Sequence, residues 1–153
     1  MFEKLSHPED VRRVEGHIPI AHRYTPGVAG TAFFEELKEG RFVGARCDAC
    51  GTTYCPPRIF CERDFEALEI DVKVGPRGTL ESFTVGYTGL EGEPLDEPVT
   101  VGLVRLDGAD TVLLHFLVGE AEPEIGARVE PVWRPKAKRE GTILDLEGFK
   151  LSG

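Results

Sequence analysis

Three cysteines and an aspartate between residues 47 and 64 have the types and spacing of a metal site. Cys47 and Cys50 are separated by two residues and followed by Gly51, as in a zinc knuckle, a tight turn that directs two thiolates at one point. Cys61 begins a second such spacing, and Asp64 stands where a fourth cysteine would complete it. Tetrahedral Zn²⁺ takes four ligands from two such turns, so the spacing predicts structural zinc held by Cys47, Cys50 and Cys61.

The identity of the fourth ligand is open between Asp64 and Cys55. Asp64 is held in place by the second knuckle, and carboxylate ligands are uncommon in structural zinc sites but allowed. A strand out and a strand back between Cys50 and Cys61 would put Cys55 about 10 Å or more from the metal, at about 3.3 Å per residue. We therefore expect Asp64 as the ligand, with Cys55 as the alternative; water or a site without metal also remain open. A Cys55 outside the site would be a small buried apolar residue.

Composition narrows the class of protein. The chain has 153 residues, 41% of them hydrophobic, enough for one core, or for one core and a small satellite. Its four cysteines lie within positions 47–61, which favours metal binding in a reducing cytosol over disulfides. We find no apolar run of the roughly 18 residues that a membrane span needs and no secretory signal, so we expect a cytoplasmic protein with no membrane partner. The net charge of −9 makes a nucleic-acid partner unfavourable.

The first forty residues are expected to form an N-terminal arm and a helix. In the arm, Ser6 and Glu9 have capping-box spacing, and the arm is either poorly ordered or orders against another protein. The helix is predicted over 31–39, with Thr31 as its cap and Gly40 at its carboxyl end. Phe33, Phe34 and Leu37 would share one face, which either the domain body or a partner must cover.

From residue 72 onward, alternating apolar residues separated by turns predict a small barrel. Strands are expected over 79–87, 99–106, 111–118, 128–134 and 142–150, with a turn at 75–78, a polar loop over 88–98 and a hairpin turn at Asp107–Gly108. Five or six short strands without interleaved long helices favour a barrel. The predicted fold is therefore mainly β, divided into the arm and helix (1–40), a rubredoxin-like zinc ribbon (41–70) and a barrel (71–153).

No catalytic set is evident in the sequence. A covalent nucleophile needs a nearby base, yet every cysteine lies in or beside the metal segment and the histidines are scattered. His115 alternates with apolar neighbours, as a buried barrel histidine would, and His17 and His22 lie in the arm. A basic cluster, the four cations of residues 134–139, could bind coenzyme A phosphates or an acidic partner surface, or form a solvated loop; its members are Arg134, Lys136, Lys138 and Arg139.

The ordered set of motifs resembles the acyl-CoA-associated zinc-ribbon/OB-fold family, small proteins that partner thiolase-like enzymes. The resemblance covers residues 24 to 150, and it rests on the motifs at 33–40, 46–51, 56–58, 77–85 and 141–146. The family usually has a fourth cysteine where this chain has Asp64. The resemblance implies an OB-fold barrel of five to six strands after the ribbon.

The resemblance also implies a noncatalytic small subunit that helps to shape the acyl-CoA site of a thiolase-like catalytic subunit. Relatives serve ketothiolases, a retro-aldolase and benzylsuccinyl-CoA thiolase, so a benzylsuccinyl-CoA or other 3-oxoacyl-CoA thiolase complex is the expected assembly. Two alternatives stay open. OB barrels also bind single-stranded nucleic acid through aromatic and cationic side chains, and a rubredoxin-like site can hold iron for electron transfer, although that site needs four thiolates.

Overall fold

The computed structural model describes residues 25–89 and 91–152. Within these residues the chain forms one α-helix and eight strands. They are α1 (Gly27–Lys38), β1 (Phe42–Arg46), β2 (Thr53–Tyr54), β3 (Val72–Val74), β4 (Gly78–Thr88), β5 (Pro94–Leu106), β6 (Leu113–Phe116), β7 (Arg128–Trp133) and β8 (Leu146–Leu151). Two 3₁₀ turns, Lys136–Lys138 and Ile143–Asp145, precede β8. The predicted arm, with Ser6, Glu9, His17 and His22, lies outside the described residues.

The ribbon is built on a three-stranded antiparallel sheet in the order β2-β1-β3. β1 pairs with β2 through Ala45 and Tyr54, and with β3 through Phe42 and Val74. Both metal knuckles follow strands or bridges of this unit. β3 lies just past residue 70 in the chain and pairs with β1, so it joins the ribbon to the barrel.

The barrel has five antiparallel strands in the order β6-β5-β4-β7-β8. A parallel bridge between Leu117 and Phe149 brings the end of β6 to β8 and closes the sheet on itself. The outer part of the β4–β5 hairpin extends beyond this closure, since β7 pairs with β4 only at Gly78 and Thr79. The predicted mainly β fold with a ribbon followed by an OB barrel is confirmed.

Helix α1 begins one turn earlier than predicted, at Gly27, and Thr31 lies inside it rather than at its cap. Pro26 precedes the helix, where its missing N–H leaves no hydrogen bond unmade. The carboxyl end agrees with the prediction. Gly40 adopts φ 76° and donates to the Leu37 carbonyl, while Arg41 donates to that of Glu36. This is a Schellman motif, which requires the left-handed conformation that glycine tolerates.

The polar stretch 88–98 was predicted as a loop, and this prediction was wrong over part of its length. β4 continues to Thr88, which pairs with Pro94 at the start of β5, so the connection is confined to residues 89–93. Asp96, Glu97 and Pro98 are exposed. In a hairpin that projects beyond the core, both faces meet solvent, and apolar alternation is no longer needed to stabilise the strand.

The main core joins all parts of the molecule. Phe33 and Leu37 of α1, Phe42 of β1 and Phe149 of β8 belong to one cluster of buried side chains. Phe34 packs against that cluster and is partly buried. Phe33 and Phe34 were expected to pack either against the body of the domain or against a partner protein, and the structure shows that they pack against the body of the domain. Truncating Phe33 and Phe34 would destabilise the chain itself, so they are not evidence for a partner surface.

Candidate metal centre

Four potential ligands converge at one end of the ribbon: Cys47, Cys50, Cys61 and Asp64. One ligand atom from each lies within 4.8 Å of the others. The Sγ atoms of Cys50 and Cys61 are 3.7 Å apart, and Asp64 Oδ2 lies 3.3 Å from Cys47 Sγ and 3.4 Å from Cys61 Sγ. Cys47 and Cys61 are buried, whereas Asp64 is exposed.

The first knuckle follows β1 directly. Cys47 accepts a hydrogen bond from the Gly51 N–H at 2.7 Å, and its own N–H donates to the Thr52 carbonyl at 2.9 Å. Gly51 has φ 77°, a left-handed conformation that costs glycine little. The turn thereby places the Cys47 and Cys50 thiols on the same side of the ribbon.

The second knuckle repeats these bonds with a different residue at the turn. The Phe65 N–H donates to the Cys61 carbonyl at 3.0 Å, and the Cys61 N–H donates to the Glu66 carbonyl at 2.9 Å. Phe65 has φ 59° and occupies the position that Gly51 holds in the first knuckle. The sequence did not show that Phe65 and Gly51 occupy equivalent positions, because phenylalanine is not a residue that predicts a left-handed turn.

These distances suit a tetrahedral zinc ion. Zn–S bonds of about 2.3 Å at tetrahedral angles separate sulfur atoms by about 3.8 Å, and a sulfur from a carboxylate oxygen by about 3.5 Å. The observed separations of 3.7, 3.3 and 3.4 Å are close to those values. Bound zinc would cross-link the two knuckles and add to the small buried cluster of the ribbon, which includes Ala45, Tyr54 and Leu68.

Cys55 lies away from this cluster. Its side chain is buried in the main core, where Sγ lies 3.6 Å from the Val43 carbonyl oxygen. Burial raises the pKa of Cys55 to about 12, so the side chain is a neutral thiol at physiological pH. These features match the alternative in which Cys55 is a small buried apolar residue.

Two residues that the sequence did not single out contact the thiols. Tyr54 is fully buried and its hydroxyl lies 3.3 Å from Cys61 Sγ. This hydrogen bond raises the pKa of Tyr54 to about 12 and lowers the pKa of Cys61. Cys50 Sγ lies 3.2 Å from Thr52 Oγ1. Hydrogen bonds from outer residues orient metal ligands and tune their basicity, and their only sequence signal here is proximity to the knuckles.

The ribbon is tied to the barrel next to the metal centre. The Thr53 N–H donates to Asp110 Oδ2 at 2.8 Å, and the Asp110 N–H donates back to the Thr53 carbonyl at 2.9 Å. Thr111 Oγ1 accepts from the Cys55 N–H and donates to the Cys55 carbonyl. These reciprocal bonds fix β2 against the turn between β5 and β6, so the metal end of the ribbon is held relative to the barrel.

Two members of the basic cluster are bound within the chain. Lys136 forms a 2.9 Å ion pair with Glu39. Arg139 donates to the Arg134 carbonyl at 2.7 Å and lies over the Trp133 ring, 5.5 Å from its centroid. Both cations therefore fasten the loop after β7 to the carboxyl end of α1. Lys138 is exposed and Arg134 is half-buried.

His115, the histidine within the described residues, is buried in the barrel wall as the alternation predicted. Its Nε2 lies 3.4 Å from the Ile143 carbonyl oxygen, while Nδ1 has no hydrogen-bond partner. Burial lowers the pKa of His115 and favours its neutral form. Its neighbours are the Phe116 and Phe149 rings, so no nucleophile accompanies it.

Comparison with known families agrees with this two-part construction. The family model for the rubredoxin-like zinc ribbon domain of ChsH2 matches residues 34–69, and the model for the C-terminal OB-fold domain of ChsH2 matches residues 71–134. The order of the matches is that of the observed ribbon and barrel. The chain belongs to the ChsH2 family. Its ribbon matches the zinc ribbon domain of ChsH2 and contains the cluster of three cysteines and one aspartate.

Relatives of this ChsH2-family chain include a scaffold protein and a protein of unknown function. A DUF35 domain-containing scaffold protein from Methanocaldococcus jannaschii is 25% identical over 103 residues, 65% of this chain and 71% of the relative. A DUF35-family crystal structure from Sulfolobus solfataricus, of unknown function, is 28% identical with a TM-score of 0.65 and covers 82% of this chain and 87% of that one.

A second similar structure is described as an Ltp2–ChsH2(DUF35) aldolase. Its matching chain is 28% identical with a TM-score of 0.57, and the match covers 78% of this chain and 91% of that one.

The described part of the ChsH2-family chain contains no helix with the length and hydropathy of a membrane span.

Proposed function

We propose that this chain is a noncatalytic scaffold subunit of an acyl-CoA-processing complex, and that its partner is a thiolase-like catalytic subunit. The observation that carries the proposal is the match to ChsH2 in both the ribbon and the barrel, including a similar chain from an aldolase assembly with Ltp2. Since fold alone does not determine function, the proposal also needs support from the chemistry of the residues.

The described residues supply little that could act without a partner. Three of the four cysteines lie in the metal cluster, and the fourth, Cys55, is a buried thiol with a pKa raised to about 12. His115 is buried among aromatic rings with no nucleophile in contact. A nucleophile within hydrogen-bond reach of a base is the minimum for covalent acyl transfer. The chemistry is therefore assigned to the partner subunit.

We further propose that Cys47, Cys50, Cys61 and Asp64 hold the zinc ion. Zinc with four protein ligands has no open position for substrate, so its role is structural. It keeps the two knuckles together, and the bonds between Thr53 and Asp110 hold those knuckles against the barrel. The metal then preserves the shape of a surface that the partner recognises.

The acyl-CoA substrate of the complex is proposed to meet this chain at the loop after β7. Lys136 and Arg139 are engaged with α1, so Arg134 and Lys138 are the members of the basic cluster that remain for a phosphate of coenzyme A. The finer identity of the enzyme, benzylsuccinyl-CoA thiolase or another 3-oxoacyl-CoA thiolase, is proposed from family resemblance.

Co-expression with candidate thiolase-like catalytic subunits from the same organism tests the proposal. An affinity tag on this chain alone should recover both proteins, and light scattering after gel filtration should give the mass of a hetero-oligomer. An untagged preparation of the partner, passed over the same resin, controls for nonspecific retention. Recovery of this chain alone, as a stable zinc-loaded monomer that does not associate with the added partner, would contradict the proposal.

A further inference from the structure

The second knuckle of the ribbon presents three large apolar side chains to solvent. Ile59 is 48% exposed, Phe60 is 55% exposed and Phe65 is 79% exposed. We call these three residues the ribbon tip. Phe60 pairs with Ala67 through an isolated β-bridge, and Phe65 lies in the turn between them, so the three belong to one small structural unit. An exposed group of two phenylalanines and an isoleucine is expected where another molecule binds.

The backbone at Phe65 argues that its ring is not there to stabilise the ribbon. Among the residues that the structure describes, Phe65 is the one residue other than glycine with a positive φ. Gly51 holds the matching position in the first knuckle. A bulky side chain is disfavoured in the left-handed region, whereas glycine adopts it freely. The ring gains little from burial to offset this strain, since most of it is in water. Backbone strain of this kind clusters at binding sites, which favours a role for Phe65 in contacts outside the chain.

A groove beside the ribbon tip carries negative charge. Its carboxylates are those of Asp48, Glu66, Glu69 and Asp71, and its cation is Arg46. The groove adjoins the tip directly, because Glu66 follows Phe65 and the groove residue Ala67 is bridged to Phe60. The nearby cation Arg58 is paired with Glu62 and lies over the Tyr54 ring, so it does not neutralise the groove.

We infer that the ribbon tip and this groove form the docking surface for the catalytic subunit, which would offer an apolar socket bordered by lysine or arginine side chains. The inference rests on the proposed function and specifies where the partner binds. The negative charge of the groove favours such a partner over the alternatives. A second copy of this chain would bring two acidic grooves together, and an anionic lipid surface or nucleic acid would also be repelled. Aromatic anchors in a socket with complementary charges around it are typical of protein interfaces.

Phe65→Gly gives a test with two readouts that move in opposite directions. In the isolated zinc-loaded chain, relief of the backbone strain should raise the melting temperature by about 2–4 °C. In titration calorimetry with the catalytic subunit that co-purifies with the wild-type chain, the same change should weaken binding about 30-fold, as expected for loss of an interface anchor. Phe60→Ser should weaken binding similarly without the rise in melting temperature.

The matched control is Ile125→Ser, which removes an apolar side chain that is 64% exposed in the barrel loop before β7 and should leave the affinity unchanged. Zinc content is measured for every variant. Binding of Phe65→Gly with wild-type affinity, or a fall in its melting temperature, would overturn this inference alone. Failure of the wild-type chain to bind the partner would instead overturn the proposed function, and this inference with it.

Discussion

At the scale of single residues, Asp64 stands where a zinc ribbon usually has its fourth cysteine, and this difference has a clear chemical consequence. A carboxylate is a harder ligand than a thiolate, so three sulfurs and one oxygen should hold zinc less tightly than four sulfurs. Hydrogen bonds from the thiols of Cys50, Cys47 and Cys61 lower the pKa of Asp64, which keeps the carboxylate ionised and able to bind a cation. Asp64 is also exposed, so this proposed ligand is accessible to a competing chelator.

We predict that Asp64→Ala weakens zinc binding far more than Cys55→Ala. Loss of a direct ligand should exceed the roughly 10–100-fold effect that is typical of outer-shell changes. Cys55→Ala should retain zinc and lose about 1 kcal/mol of stability through a small core cavity. Competition with a chromophoric chelator measures the affinities, and Asp64→Cys, which restores four thiolates, should bind zinc more tightly than wild type. Greater zinc loss from Cys55→Ala than from Asp64→Ala would reverse the ligand assignment.

Tyr54 gives a second prediction at this scale. Tyr54→Phe removes the hydroxyl that contacts Cys61 Sγ while leaving the buried ring in place. Zinc affinity should fall about tenfold, with the fold retained, because the thiolate loses a hydrogen bond that supports its orientation and charge. The same chelator competition measures the change, and circular dichroism checks the fold. Unchanged affinity would mean that the contact contributes only to packing.

Sequence reasoning could identify the ligand candidates because knuckle spacing is a local signal. It could not identify Tyr54, which reaches Cys61 through the pairing of β2 with β1, nor the left-handed turn at Phe65. It also could not show that Lys136 and Arg139 of the basic cluster contact the end of α1, because those contacts join residues about a hundred positions apart.

At the scale of elements, Asp145 organises the loop that leads into β8. Its side chain is fully buried and accepts hydrogen bonds from the backbone N–H groups of Glu140, Gly141 and Thr142. Burial alone would raise the pKa of Asp145, but these three hydrogen bonds and the charge of Arg134 bring its pKa below the usual value. The carboxylate thus fixes the segment after the basic cluster.

We predict that Asp145→Ala lowers the free energy of unfolding by about 3 kcal/mol, since it leaves three partly buried backbone donors without their acceptor. Because folding lowers the pKa of Asp145, its contribution is fully present above the unfolded value near 4 and is lost as pH falls through the lower folded value. Urea unfolding at pH 7 and at pH 3 measures both effects. The advantage of the wild type over Asp145→Ala should be smaller at the lower pH. An equal difference at both pH values would contradict the role given to the carboxylate.

Strands with one buried face were predictable, whereas those beyond the core were not. Residues 79–87 and 99–106 alternate because one side packs inward, and both were predicted within two residues at their core-facing ends. The outer part of the β4–β5 hairpin is held by pairing between partners that both meet solvent, so its polar sequence suggested a loop. The sequence could not decide whether Phe33 and Phe34 pack against the core or against a partner, because the residues that contact them are distant in the chain.

At the scale of the whole molecule, the helix, the ribbon and the barrel are held to one another by shared contacts. One core links α1, the ribbon and the barrel, and reciprocal hydrogen bonds fix the metal end of the ribbon beside the β5–β6 turn. A scaffold subunit needs such rigidity, because pre-organisation reduces the entropic cost of assembly. Loss of zinc should therefore unfold the ribbon and abolish assembly, while the barrel can persist.

The most direct test of the scaffold role is to measure thioester turnover by the purified thiolase-like partner with and without this chain. The account predicts no activity for this chain alone, low activity for the partner alone, and full activity when the zinc-loaded chain is added in equimolar amount. Asp64→Ala, depleted of zinc, serves as the matched inactive addition. Full activity of the partner by itself, unchanged by this chain, would contradict the account.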